Sequence, residues 1–260
     1  MNLTLNQTDM DTASPDAAMR QTREELAAIY RLLAHFKMSD LIYTHVSARI
    51  PGRHDRFLIN RYGMLFHEIC ASDLVEVDEH GLAVEHVDGA PALVNAAGFN
   101  IHAAIHAGRP DARFVIHTHT RAGAAVSCLR DGLLPISQQA LMFHGHVGYH
   151  GYEGFALGQD ERTRLIADLG GNKALILYNH GLLVVGRTAA EAFGRIYALE
   201  KACDIQMAAL SAGRELVIPP VAIQEHTARQ ANPEEPADWE ELAWKAALRL
   251  IDKDLPNYQN

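Results

Sequence analysis

Two histidines two residues apart, His117 and His119, stand in the run Phe114–Thr120. Alternation along an extended strand sends both side chains to one face. Two imidazoles on one face can grip one divalent metal, and imidazole suits zinc, iron, nickel and copper. A third ligand would complete a centre, and His180 is the candidate. It interrupts two apolar runs, Leu175–Leu177 and Leu182–Val185, beside Gly181. The chain carries 15 histidines, so a lone H-x-H is a permissive signal. A second pair, His144 and His146, lies in the glycine-broken stretch 143–150 and is read as a loop without a ligand role.

These residues need elements to hold them. Leu26, Ile29, Tyr30, Leu33 and Phe36 fall on one helical stripe after a polar N-terminal arm. An alternating strand over 44–50, a turn at 51–55 and a returning strand over 56–60 read as a hairpin. Arg61-Tyr62-Gly63 is a tight turn, and its glycine lets backbone amides approach a ligand. A helix is expected over 96–106, the H-x-H strand from 114, and a small-residue helix over 122–129. Leu134–Ile136 reads as a short strand and 161–169 as a helix, followed by the strand pair around His180. Thr188 and Glu191 form a capping box for a long helix to about Leu210. Prolines at 219–220 and 233–236 bracket a loop-rich linker, and a last helix from Asp238 carries Trp239 and Trp244. That helix is expected to pack across a subunit interface, since two tryptophans bury much apolar area when docked.

The chain has 260 residues, 48% of them hydrophobic, which supports one sizeable core. A formal net charge of -9 gives no basic footprint for nucleic acid. No apolar run reaches the length of a membrane span, and the polar start lacks the apolar core of a signal peptide. Cys70, Cys128 and Cys203 are odd in number and far apart, so a cytoplasmic protein with free thiols is expected. Strands and helices interleave with hairpin turns, as in one α/β domain with a mixed sheet.

In order along the chain stand Thr44-His45-Val46-Ser47-Ala48-Arg49, Ala71–Val75, Ile101-His102 to Arg109-Pro110-Asp111, the His117/His119 pair and Asn179-His180-Gly181-Leu182. This series resembles the class II aldolase / adducin head-domain family, over roughly 22–212. The family includes L-fuculose-1-phosphate aldolase, L-ribulose-5-phosphate 4-epimerase and the metal-free adducin head of the membrane skeleton. The resemblance implies a three-layer α/β/α fold with a mainly antiparallel central sheet. It divides the chain into a flexible arm (1–21), the family domain (22–212) and a C-terminal extension with a terminal helix (213–260). It further implies a homotetramer and a divalent metal on His117, His119 and His180, with zinc first and iron or manganese as alternatives.

The chain departs from the family pattern at the acid/base. Family aldolases carry a glutamate eleven residues before the Arg of Arg-Pro-Asp, and that position is Gly98 here. Two phosphate-binding serines correspond to Ala96 and Ala97, and the phosphate-contacting turn to Tyr62-Gly63 after Arg61. A proton-donating tyrosine falls near Gln139. Arg61, Gly63 and Gln139 are therefore the candidate substrate-binding residues. Glu68, Tyr149, His150, Tyr152 and Glu153 are polar groups from which a replacement proton carrier could come.

The resulting expectation is a metal-dependent, lyase-like enzyme for a small carbonyl or hydroxy-carbonyl compound other than a sugar phosphate. Its metal would polarise the carbonyl and stabilise an enolate. The alternatives are an iron-dependent decarboxylase or oxygenase of a 2-oxo or 2-hydroxy acid, and a non-catalytic, adducin-like interaction module.

Overall fold

The computed structural model describes residues 14–84, 86–87, 90–233 and 238–260. The chain begins with α1 (Pro15–His35), β1 (His45–Arg49), β2 (Arg56–Asn60), a 3-10 turn (Ala71–Asp73) and β3 (Leu74–Asp78). A small hairpin of β4 (His86–Val87) and β5 (Ala90–Pro91) precedes α2 (Ala96–Gly108), β6 (Phe114–Thr118), α3 (Arg121–Ser127) and α4 (Gln138–Leu141). Then follow β7 (Val147–His150), α5 (Gln159–Leu169), β8 (Ala174–Leu177), β9 (Gly181–Gly186), α6 (Ala189–Ser211), α7 (Val221–Ala231) and α8 (Asp238–Asp254).

Seven strands form one sheet in the order β3-β2-β1-β6-β9-β8-β7. Every neighbouring pair is antiparallel except β7 with β8. The pleat sorts side chains to two faces. Phe114, Ile116 and Val184 join a core with α1, α6 and α8, whereas Val115, Leu183 and Val185 join a core with α2 and α5. The fold is the expected three-layer α/β/α arrangement with a mainly antiparallel sheet. His117 has the parity of Val115 and so lies on the α2 side. Thr118 faces α6.

Several expectations need correction. Residues 1–13 of the arm lie outside the described residues, but helix starts at Pro15, well before 22. Ser14 is its N-cap, accepting from the Ala17 N–H, and proline fits the first helical position. Leu134–Ile136 is no strand: the Leu134 N–H donates to Gln206 Oε1, and Pro135 has no N–H to give. The stretch 143–150 is not all loop, because β7 occupies its second half. Gly148 disguised it, and glycine is needed there, since a Cβ would lie 2.1 Å from the Asp168 carbonyl oxygen of α5. The proline-bracketed linker contains α7, with Pro220 as its N-cap.

The cap at Thr188 forms as expected, Oγ1 accepting from the Glu191 N–H at 3.1 Å. The Glu191 carboxylate does not close the box. It accepts from the Arg187 N–H at 2.5 Å and pairs with the Arg187 and Arg195 guanidinium groups. The C-terminal helix α8 docks on α1 and α6 of its own chain. Trp244 and Ile251 are buried, and the Trp244 ring lies 5.9 Å from that of Phe193. Trp239 stays half exposed. The tail then returns to the body, where the N–H groups of Ala71 and Ser72 donate to the carbonyls of Tyr258 and Asn260. Among the described residues, no helix is long and apolar enough to cross a membrane.

Candidate metal centre

His117 is the penultimate residue of β6, and His119 lies just past the strand end, so the pair straddles the point where the chain leaves the sheet. Thr120 then caps α3, accepting from the Gly123 N–H. His180 sits in the turn between β8 and β9, preceded by Asn179 in the left-handed region at φ 56°. The His180 N–H donates to the Leu177 carbonyl and to Ser127 Oγ. Gly181 permits the approach of this turn to β6: a Cβ there would lie 2.3 Å from the Thr118 carbonyl oxygen.

These elements bring three imidazoles together. His117 Nε2 lies 2.8 Å from His119 Nε2, and His119 Nε2 lies 2.8 Å from His180 Nε2. Among the described residues this is the one grouping with three possible metal-holding donors. The far nitrogens of two rings are engaged. His117 Nδ1–H donates to the Leu182 carbonyl at 2.9 Å. His119 Nδ1–H donates to the Asp40 carboxylate at 3.2 Å, from the loop after α1. Each bond leaves the inward nitrogen with its lone pair, the usual tautomer logic of a histidine ligand.

That arrangement tests the fit of a cation. Two lone pairs 2.8 Å apart cannot hydrogen-bond to each other and repel unless a positive charge lies between them. Nitrogens bound at about 2.0–2.1 Å to one zinc ion stand about 2.8–3.4 Å apart for bond angles near 90–110°. The donor set fits a divalent metal. Burial, followed by the neighbouring histidines, pushes His117 well down from the ordinary imidazole value, and burial takes His180 down to about 4. His119 is also lowered by burial, against a raising contribution from Asp40. Neutral rings are the form a metal needs.

A buried carboxylate supports the centre from the other face. Glu200 of α6 accepts hydrogen bonds from Thr118 Oγ1 at 3.0 Å and from Thr120 Oγ1, the two residues that flank His119. On the α2 face a line of polar groups runs away from His117. The His45 ring lies 5.0 Å from the His117 ring, and His45 is paired with His117 across β1 and β6. His45 Nδ1 lies 2.7 Å from His102 Nε2, and His102 Nδ1 meets Ser47 Oγ. Ser47 Oγ lies 2.7 Å from His106 Nε2, and His106 Nδ1–H donates to the Ala112 carbonyl at 3.1 Å. All four side chains are buried.

The other candidates are dispersed. Gly98, in the first turn of α2, has the His45 ring against it: a Cβ there would lie 2.3 Å from that ring. Arg61 pairs with Asp73 at 3.7 Å and donates to Met64 Sδ. Gly63 has φ 101° with open space where a Cβ would stand, and Gln139 lies half-buried in α4. Glu68 Oε2 accepts from the Leu65 N–H. Tyr149 Oη accepts from the Leu133 N–H, His150 lies between Asp168 and Glu161, and Glu153 pairs with Arg164. Tyr152 is exposed.

Sequence reasoning missed Asp40 and Glu200, for which spacing carries no signal. It also missed His45, Ser47, His102 and His106 as a unit. Their signal was present as H-x-S on a strand beside Gly98, His102 and His106 at four-residue helical spacing.

Residues 24–207 match the family model described as Class II Aldolase and Adducin N-terminal domain. An aldolase II superfamily protein from Pseudomonas syringae has a solved structure 47% identical in sequence, with TM-score 0.88 over 96% of this chain and 98% of that one. An L-fuculose 1-phosphate aldolase from Glaciozyma antarctica is 27% identical, with TM-score 0.82 over 94% of each chain. Alpha-adducin of Rattus norvegicus is 40% identical over 255 residues, which are 93% of this chain but only 34% of that protein. With the fold, the histidine centre and the family match in agreement, this chain belongs to the class II aldolase and adducin N-terminal domain family.

Proposed function

We propose that the chain is a divalent-metal enzyme of lyase type for a small carbonyl or hydroxy-carbonyl compound that is not a sugar phosphate. The observation that carries this reading is the pair of inward lone pairs on His117 and His119, with His180 closing the group. A cation held there supplies Lewis acidity toward a carbonyl oxygen and stabilises negative charge developing beside it. The chain's own residues orient the three rings: the Leu182 carbonyl and Asp40 fix two tautomers, and Glu200 holds both neighbours of His119.

Two features of α2 speak against phosphate. Ala96 and Ala97 offer no side-chain donors, and the Asn95 side chain already accepts from the Ala97 and Gly98 N–H groups. A helix N-terminus with its amides so engaged has less to offer a dianion. Arg61 and Gly63 are proposed as the carboxylate-binding turn, and Gln139 as a further substrate contact. The reading includes a cytoplasmic location and a homotetramer, and native mass measurement tests the tetramer.

The deciding experiment is elemental analysis of untagged protein purified without chelators, beside His180→Ala. About one zinc per chain, lost in the variant, supports the reading and directs a screen of aldol and retro-aldol substrates. Iron with oxygen consumption moves the decarboxylase or oxygenase to first place. The 40% identity to alpha-adducin favours one further reading, an interaction module without catalysis. Absence of stoichiometric metal even after reconstitution, with function untouched by His117→Ala, would favour that module instead.

A further inference from the structure

We propose that His45 is a specificity-determining residue of this centre, held as the Nδ1–H tautomer so that its Nε2 accepts a hydrogen bond from a ligand hydroxyl. This rests on the reading of the three histidines as a ligand-binding metal centre. The tautomer assignment is independent of it.

The protons of the buried line are fixed from its far end, because a carbonyl oxygen can only accept. The Ala112 carbonyl takes the Nδ1–H of His106, so neutral His106 has its lone pair on Nε2. Ser47 must donate its single hydroxyl hydrogen to that lone pair. Ser47 Oγ can then only accept from His102, whose proton is therefore on Nδ1. His102 Nε2 is left to accept, so the proton between His102 and His45 belongs to His45 Nδ1. Each link forces the next, and His45 Nε2 ends as a lone pair.

Neutrality of the line follows from its burial. No carboxylate takes part in it, and an isolated charge inside would be costly. Burial holds His102 well below the ordinary imidazole value and takes His106 down to about 3.

The position of His45 gives that lone pair a use. Its ring lies on the same sheet face as His117, 5.0 Å away. Its Nε2 would stand 2.4 Å from a Cβ at position 98. The ring thus fills the space that any side chain at 98 would enter, next to the histidine group. A fixed acceptor there favours a ligand that presents an O–H over one that presents only a carbonyl or ether oxygen, since two acceptors face to face leave a buried lone pair unmatched.

Long-range proton–nitrogen spectra of histidine-labelled full-length protein test the tautomer, with and without zinc. His45, His102 and His106 should show the Nδ1–H pattern, assigned through single-site variants. An Nε2–H pattern at His45 overturns the proposal. Calorimetry on zinc-loaded protein then compares glycolate with methoxyacetate. Wild type should prefer glycolate, and Ser47→Ala, which cuts the line without touching the metal histidines, should shrink that preference by about 3- to 10-fold, the range for one hydrogen bond. An unchanged preference with full zinc in both proteins also overturns it. Failure to hold zinc sinks the metal-centre reading and with it the ligand role, while the tautomer is still decided by the zinc-free spectrum.

Discussion

The Asp40 carboxylate takes the Nδ1–H of His119 at 3.2 Å, so a loop residue 79 positions away in sequence sets which nitrogen of that ring faces the other two histidines. A partner of this kind orients the ring and raises its basicity. Asp40 is half exposed, so its removal has little reach into the core. Asp40→Asn should fold as wild type and bind zinc about 10- to 100-fold more weakly in competition with a chromogenic chelator. Unchanged affinity would mean that packing alone aims the His119 ring.

Glu200 ties Thr118 and Thr120 to α6 from the opposite face of the sheet. Glu200→Ala strands the buried Thr118 hydroxyl, which should cost on the order of 1–3 kcal/mol in urea unfolding. Glu200→Gln retains an acceptor oxygen and should recover most of that loss. Equal destabilisation by both would assign the effect to the carboxylate's charge, not to its hydrogen bonds.

Much of this arrangement was readable before the fold. The alternation in Phe114–Thr118 placed β6, and histidines at 117, 119 and 180 were grouped by spacing and by resemblance. What stayed hidden has physical causes. Gly148 broke the apolar alternation of β7 because α5 leaves no room for a Cβ there. The helix α7 buries only Gln224 and Ala228, too narrow a stripe to mark a helix between prolines. Ser14-Pro15 was a legible helix start that the polar arm around it masked. Asp40 and Glu200 act on the centre from distant segments, and no local pattern connects a loop carboxylate or a helix glutamate to a strand histidine.

Gly98 and His45 cannot both carry side chains into the same space. An added Cβ at 98 would meet the ring at 2.3 Å, and the ring is held by the His102 bond. Gly98→Ala should therefore destabilise by about 1–3 kcal/mol, as overpacking does. Joined to His45→Ala, it should cost less than the two single changes added together, because removing the ring frees the space. Additive costs in a double-mutant cycle would show that the glycine is required for another reason.

The buried line also sets a pH dependence. His106 falls from the ordinary value of 6.5 to about 3 on folding, chiefly through burial, with Arg49 adding to the depression. The unfolded chain therefore binds more protons than the folded one between those values, and stability rises with pH there. The contribution is complete above about pH 6.5 and is lost as pH falls toward about 3. One such group gives a slope of about 1.4 kcal/mol per pH unit within that window. Urea unfolding of the zinc-free protein from pH 7 to pH 5 should show a steeper fall for wild type than for His106→Gln, by an amount approaching that slope. Parallel curves would mean that folding leaves the proton affinity of His106 unchanged.

The C-terminal extension gives the last test, because α8 covers its own chain. Trp244, Ala247 and Ile251 are buried against α1 and α6, and the carbonyls of Tyr258 and Asn260 accept from the N–H groups of Ala71 and Ser72. Truncation after Gly213 uncovers that apolar face, including Phe193. Exposed apolar area of this kind drives aggregation or self-association. The truncated chain should lose cooperative unfolding or aggregate at concentrations where full-length protein stays dispersed. The outward side of the same helix carries Trp239, Leu242 and Leu250. Charged substitutions there leave the intrachain packing intact, so Leu242→Glu should keep the melting temperature of the single chain. A fall in native mass on that change would place the outer face of α8 in a subunit interface. A well-folded truncated chain of normal stability would mean that α8 belongs to assembly, not to the fold.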